Sequence, residues 1–303
     1  MKRFFRALLE IFFGYKTQNE PVLRTPGPVL LLPNHTSWFD WLFLWCCLED
    51  DWKFVTSSQT AQISWLHKAI MVNRYTFPID PASPYALKRM AQFLEKGGRL
   101  VLFPEGRLSL TGTLMKLFDG TGFLLYKTKA RVITCYLRGA KRLHFSPNKE
   151  EKLLLPTISS HFSDVLNPPE LHDVSTTHAR QVLTSWLRAR LQQQQFECEM
   201  EWGAQNLLSA ISSTAQLMPG KVILEDALGG ALTYRKLLTG VELLANQLSK
   251  ILPATQTRVG ILLPNISANP VILIALWKLG KVPAILNYST GATVMLACIQ
   301  LAG

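Results

Sequence analysis

Residues 29–45 read Val-Leu-Leu-Leu-Pro-Asn-His-Thr-Ser-Trp-Phe-Asp-Trp-Leu-Phe-Leu-Trp, and they constrain the fold more than any other stretch. An unbroken apolar run of four stops at Pro33-Asn34, and a second apolar run begins directly after Asp40. A short, wholly apolar segment is the mark of a strand buried on both faces, which belongs inside a largely parallel sheet. Pro and Asn punctuate regular structure, so a tight exit loop follows the strand over 29–32. The reading is strand, loop carrying His35, then a helix over 38–48 whose first turn carries Asp40. On one continuous helix an offset of five residues sets two side chains about 140° apart. The bend at Pro33-Asn34 removes that obstacle. A histidine beside a carboxylate at a strand end is what a general base with an orienting partner requires.

The rest of the chain alternates in the same way. Strands are expected at 52–56, 99–103 and 131–137, and helices at 60–69, 83–95 and 120–127. Ser83-Pro84 suits a helix start, and Gly97-Gly98 a helix end. Weaker strand signals run through 150–173, followed by a long helix over 177–196. Gln192–Gln195 are expected at its solvated end. After about residue 202 a second alternating set begins, with strands at 221–226, 258–263 and 282–287. Helices are expected there at 207–217, 232–251, 264–279 and 292–302. The predicted class is α/β: a mixed, mostly parallel sheet flanked by helices, then a smaller α/β unit. The predicted domains are 1–190, a linker at 191–220, and 221–303.

The formal net charge is +11, which points to an anionic partner. Lys2, Arg3 and Arg6 sit among Phe4, Phe5, Leu8, Leu9, Phe12 and Phe13 at near-helical spacing. Such a segment suits a helix lying in a membrane interface. Nucleic acid is not expected, since no readout motif accompanies the charge. The five cysteines show neither C-x-x-C nor metal-ligand spacing, so reduced thiols and no metal site are expected. No apolar run is long enough to span a bilayer.

A second loop leaves the strand at 99–103 and reads Phe103-Pro104-Glu105-Gly106-Arg107. Loops at the carboxyl ends of parallel strands build the sites of α/β sheets. His35, Asp40, Glu105 and Arg107 are therefore expected to converge, and arginine suits a phosphate.

The segment from Asn34 to Asp40 resembles the H-x4-D motif of the glycerolipid (lysophosphatidic acid) acyltransferases, and Phe103–Arg107 resembles that family's FPEG-R motif. The resemblance implies His35 and Asp40 as catalytic residues and Glu105, Gly106 and Arg107 as acceptor-binding residues. It also implies oxyanion stabilisation by backbone N–H groups near Gly106. Two positions depart from the family pattern. Pro81 follows Phe77-Pro78-Ile79-Asp80 where an arginine is usual, so Arg74 is the expected substitute phosphate ligand. Thr134 follows Val132-Ile133 where a proline is usual.

In the second unit, Thr233-Tyr234 with Leu237, the strand from Arg258 into Pro264-Asn265, and the stretch through Leu286-Asn287-Tyr288-Ser289 resemble the start of the adenylate-forming, AMP-binding superfamily. The whole arrangement is similar to the bifunctional 2-acylglycerophosphoethanolamine acyltransferase/acyl-[acyl-carrier-protein] synthetases. That likeness implies a lysophospholipid acceptor and an acyl donor on acyl carrier protein, or alternatively on CoA. It implies a peripheral position on the cytoplasmic face of a bacterial inner membrane. Acyl transfer needs no cofactor; ATP and Mg²⁺ are implied for a complete second domain. The phosphate loop and later lysines of that superfamily do not occur here, so a truncated unit unable to adenylate is expected. The competing readings are a lysophosphatidic acid acyltransferase using acyl-CoA, and a non-catalytic basic membrane-binding module.

Overall fold

The computed structural model describes residues 1–62, 65, 68, 71–81, 83, 85–149, 152–226 and 230–302. It divides into two compact units, Met1–Glu201 and Trp202–Gly303. Most of the helix expected at 60–69, and the Pro84 start of the next, lie outside the described residues.

The first unit is a seven-stranded sheet. Its strands are β1 (Lys16–Gln18), β2 (Val29–Pro33), β3 (Trp52–Ser57), β4 (Thr76–Ile79), β5 (Arg99–Val101), β6 (Arg131–Arg138) and β7 (Ser159–Phe162). They lie in the order β1-β7-β6-β2-β5-β3-β4. Every neighbouring pair is parallel except β6 and β7, so β7 and β1 run against the other five. The sheet is mixed and mostly parallel, as the alternating pattern predicts.

β2 is central because it can bury both of its faces. Successive side chains on a strand point to opposite sides. Val29 and Leu31 enter one apolar cluster with Phe43, Val101 and Ile133. Leu30 and Leu32 enter another with Leu94, Leu100 and Val132. All four are fully buried. The helices of this unit are α1 (Lys2–Phe13), α2 (Asp40–Trp45), α3 (Ser58–Ala61), α4 (Tyr85–Glu95), α5 (Asp119–Thr128) and α6 (Thr176–Trp202).

Three differences from the expected elements have local causes. α2 has only six residues, Asp40–Trp45. It stops before Glu49, Asp50 and Asp51, whose charges are unfavourable at a helix C-terminus. The part of the expected linker from 191 to 202 is the end of α6, held by buried Leu191 and Cys198. The polar glutamine run there is not wholly solvated, because Gln194 Nε2 donates to the carbonyls of Thr134 and His161. Thr134 lies inside β6, and its N–H donates to Ser163 Oγ, a bond that a proline cannot make.

The second unit has a β8–β9 hairpin (Val222–Glu225 and Ala231–Thr233) and a parallel pair, β10 (Arg258–Ile261) and β11 (Val282–Ile285). Its helices are α7 (Leu207–Leu217), α8 (Tyr234–Ile251), α9 (Ala268–Lys278) and α10 (Ala292–Ala302). α7 fills most of the remainder of the expected linker. Thr233 caps α8 by accepting the Lys236 N–H, and Leu237, Val241 and Ala245 of α8 pack on Ile274 and Ala275 of α9. The "T-Y-x-x-L" stretch thus serves locally as a capped helix start with a buried anchor.

Candidate active site

β2 and β5 are neighbours in the sheet and parallel, so the loops leaving their carboxyl ends emerge side by side. Asn34 extends β2 past Pro33. Its N–H donates to Cys135 O, and its side chain both accepts from Leu137 N at 2.7 Å and donates to Leu137 O at 3.3 Å. The side chain thereby stands in for one more strand residue and holds the start of the loop in place.

His35 follows, outside any helix, and Asp40 is the first residue of α2. The bend lets them meet: His35 Nδ1 lies 3.0 Å from Asp40 Oδ2. The same oxygen accepts the N–H groups of Thr36 at 2.7 Å and Ser37 at 2.9 Å. Asp40 is completely buried. A carboxylate oxygen already surrounded by donors takes a proton-bearing Nδ1, so Asp40 selects the tautomer whose Nε2 is free to accept a proton. The His35 ring stacks on Phe103, with centroids 4.0 Å apart and an interplanar angle of 23°. Tautomer and ring plane are therefore both fixed.

Glu105 is buried, and its two oxygens are both used. Oε1 accepts the His35 backbone N–H at 3.0 Å, and Oε2 accepts the Met115 N–H at 2.8 Å. Burial pushes its carboxyl above the usual range, against the two N–H donors that pull it down. Beside the expected role in holding the acceptor, Glu105 has a structural one. It ties the histidine loop to the loop that follows β5.

Gly106 shapes the turn. Its N–H donates to Phe103 O at 3.0 Å, so that amide is not free for an oxyanion. Its φ of +65° with open space around the α-carbon shows a conformational requirement for glycine, not a steric one. The turn it makes presents Arg107 to solvent.

Arg107 lines a pocket of about 350 Å³ with Glu105, Lys116, Phe118, Asp119 and Arg180. Lys116, Asp119 and Arg180 were not expected from the sequence. The first two follow the FPEG-R loop closely enough that its continuation to the next helix could have suggested them. Arg180 lies on α6 and carries no local signal. Its Nε is buried with no hydrogen-bond partner among the described residues.

Arg74 is not part of this group. It precedes β4, and the register sets Thr76 opposite Phe54, which lies one strand from Val101 and two from Leu31. Arg74 therefore belongs to the amino ends of the parallel strands, whereas His35 lies beyond their carboxyl ends. There it pairs with Asp50 at 3.4 Å and stacks over Tyr75. The expectation that Arg74 replaces the missing arginine at Pro81 fails because strand direction carries it to the wrong end of the sheet.

Among the described residues there is no cluster of three or more His, Cys, Asp or Glu side chains able to hold a metal ion. No helix among them is long and apolar enough to cross a membrane.

The fold and the His–Asp loop define an α/β domain with a histidine held by a buried carboxylate at the carboxyl end of a parallel strand. The sequence matches the Acyltransferase family over residues 15–138, from the end of the α1 turn to the end of β6. The N-terminal part of the chain is thus an acyltransferase domain. Among solved structures, the 1-acyl-sn-glycerophosphate (LPA) acyltransferase PlsC from Thermotoga maritima is similar, with a TM-score of 0.47 and 14% sequence identity over 62% of this chain and 77% of that one. α1, β7 and α6, and with α6 Arg180, lie outside the family match.

Proposed function

We propose that the chain transfers a fatty acyl group from a thioester to the free hydroxyl of a lysophospholipid at a membrane surface. The preferred acceptor in this reading is 2-acyl-glycerophosphoethanolamine, acylated at its 1-position, and the donor is acyl carrier protein. The observation that carries the reading is the His35–Asp40 pair, whose geometry leaves Nε2 to act as a base on a loop that Glu105 ties to a pocket rich in cations.

The reaction then runs as follows. Nε2 of His35 accepts the hydroxyl proton as the acceptor oxygen bonds to the thioester carbonyl carbon. Asp40 stabilises the imidazolium that forms. The tetrahedral intermediate collapses, the C–S bond breaks, and the proton passes from Nε2 to the departing thiolate. Base catalysis of this kind is worth roughly 10²–10⁴ in rate. The transfer balances without a cofactor; ATP and Mg²⁺ belong to the charging of a carrier, the chemistry that the resemblance of residues 221–303 implies.

Membrane contact is assigned to α1. Leu9 is buried, and Phe5 and Phe13 pack on the core. Phe4, Ile11 and Phe12 are left exposed on the same helix as Arg3. Exposed aromatics beside basic residues suit an anionic lipid interface. The three cations of the pocket also favour a second reading, a lysophosphatidic acid acyltransferase using acyl-CoA.

The deciding experiment offers lysophosphatidylethanolamine and lysophosphatidic acid side by side, each with acyl carrier protein and CoA thioesters, to the full chain and to His35→Ala. Turnover of the ethanolamine acceptor, abolished by the substitution with vesicle binding intact, is the expected result. More than a tenth of the activity surviving in His35→Ala overturns the base assignment. Vesicle binding without transfer in any combination leaves a basic membrane-binding module instead.

A further inference from the structure

We infer that the pocket beside Glu105 is a subsite for a zwitterionic phosphodiester head group, and that Asp119 is the residue that admits its ammonium end. The inference rests on the acyl-transfer reading above and names what selects its acceptor.

The pocket brings three cations, Arg107, Lys116 and Arg180, together with two carboxylates, Glu105 and Asp119. None of the three cations forms an ion pair among the described residues. The buried Nε of Arg180 has no acceptor there. A buried donor without a partner is costly, and a phosphate oxygen would supply the acceptor it lacks. The two carboxylates are not equivalent. Glu105 is buried and spends both oxygens on the His35 and Met115 amides. Asp119 is exposed, heads the ten-residue helix α5, and has no side-chain hydrogen bond among the described residues. It is therefore the negative group left to meet a ligand.

A site for a bare phosphate monoester gains nothing from a carboxylate at its edge, since like charges repel. A phosphodiester joined to a short aminoalkyl arm carries one negative and one positive end, and both signs are present here. Specificity arises from the difference: Asp119 attracts the zwitterion and penalises the dianion. The subsite adjoins the base through Glu105, which lines the pocket and also holds the His35 backbone at 3.0 Å.

An aspartate at the first position of a helix also complements the helix dipole, so the test needs a readout that helix capping does not move. The full chain and its Asp119→Asn and Asp119→Glu variants are assayed with lysophosphatidylethanolamine, lysophosphatidylglycerol and lysophosphatidic acid. Asp119→Asn is expected to lower kcat/KM for the ethanolamine acceptor about fivefold through KM, the scale of one partly exposed ion pair. The glycerol acceptor should be unchanged and the monoester improved, with Asp119→Glu restoring the original preference. An equal loss on all three acceptors, or no change in their ratio, overturns the assignment. Binding of free glycerophosphoethanolamine, a phosphodiester, followed by NMR, separates the two layers. Asp119-dependent binding without acylation of any acceptor sinks the acyl-transfer reading and keeps the subsite. Acylation with no Asp119-dependent binding or selectivity keeps the reading and sinks the subsite.

Discussion

The two ends of the parallel strands use charge in opposite ways. At the amino ends, Arg99 is buried and fully engaged. It pairs with Asp51 and with Glu49, donates to the carbonyls of Leu23 and Thr25, and lies over the ring of Trp52. Arg74 and Lys2 nearby each pair with Asp50. At the carboxyl ends, the buried carboxylates Asp40 and Glu105 accept backbone N–H groups and the His35 ring, not cations. The cations there, Arg107, Lys116 and Arg180, form no ion pair among the described residues. A cation neutralised within the fold is a pin. A cation left without an anion beside a pocket is available to a ligand. The carboxylates at the working end act as scaffolding for loops, and this leaves the positive charges around them uncancelled.

That contrast can be broken most severely at Asp40. In Asp40→Asn, a neutral amide replaces the carboxylate whose Oδ2 accepts the Thr36 and Ser37 N–H groups and holds Nδ1–H. Turnover should fall by about 10³–10⁴, as when an orienting aspartate is lost from a catalytic triad; steady-state kinetics beside unaltered far-UV circular dichroism checks this. Glu105→Gln is next. One of the two backbone donors loses its acceptor and the His35 loop shifts, and a displacement of about 1 Å costs on the order of 10² in kcat. If Glu105 instead bound the acceptor directly, KM would carry the loss and kcat would hold.

At the other end, Arg99→Met should leave the kcat of the folded protein unchanged. It should lower stability by about 2 kcal/mol, because two carbonyls lose a charged donor while Glu49 and Asp51 stay largely solvated. Denaturant unfolding measures it. A fall in kcat with stability intact would erase the distinction between the ends.

A smaller effect concerns pH. Burial, reinforced by Arg138, holds the His161 ring below its ordinary value of 6.5. A depressed folded value means that the neutral ring is favoured in the fold. Its contribution is full above about 6.5 and is lost as pH falls through the folded value. His161→Gln should therefore flatten the acid limb of the stability curve without altering the pH profile of kcat. The smallest effect is expected for Arg74→Ala: KM for the lysophospholipid within about twofold of the parent, as for other exposed ion pairs. A large rise in KM would return Arg74 to the phosphate site.

Much of this was legible beforehand. The strand at β2, the bend at Pro33-Asn34 and the meeting of His35 with Asp40 follow from local pattern and turn chemistry. The spans of α5, β6, α7, α8 and α10 follow from periodicity and flanking glycines or caps to within a few residues. α2 came out shorter than its apolar run, because Cys46 and Leu48 are buried in the core without continuing the helix. The glutamine run of α6 looked solvated, but Gln194 meets carbonyls of β6 and β7 that no neighbour in sequence reveals.

The amino-acid sequence by itself determined the residue types at the site and the strand ends that deliver them, since turn preference and hydrophobic period act over a few residues. Only the tertiary structure decided their partners. Setting β5 beside β2 brings Glu105 to the amide of His35, 70 positions away, and gives it a loop-clamping role. The parallel direction of β4 sends Arg74 to the far end of the sheet, and the course of α6 brings Arg180 to the pocket. Such pairings depend on strand order and direction, which sum over the whole core and are written in no single stretch.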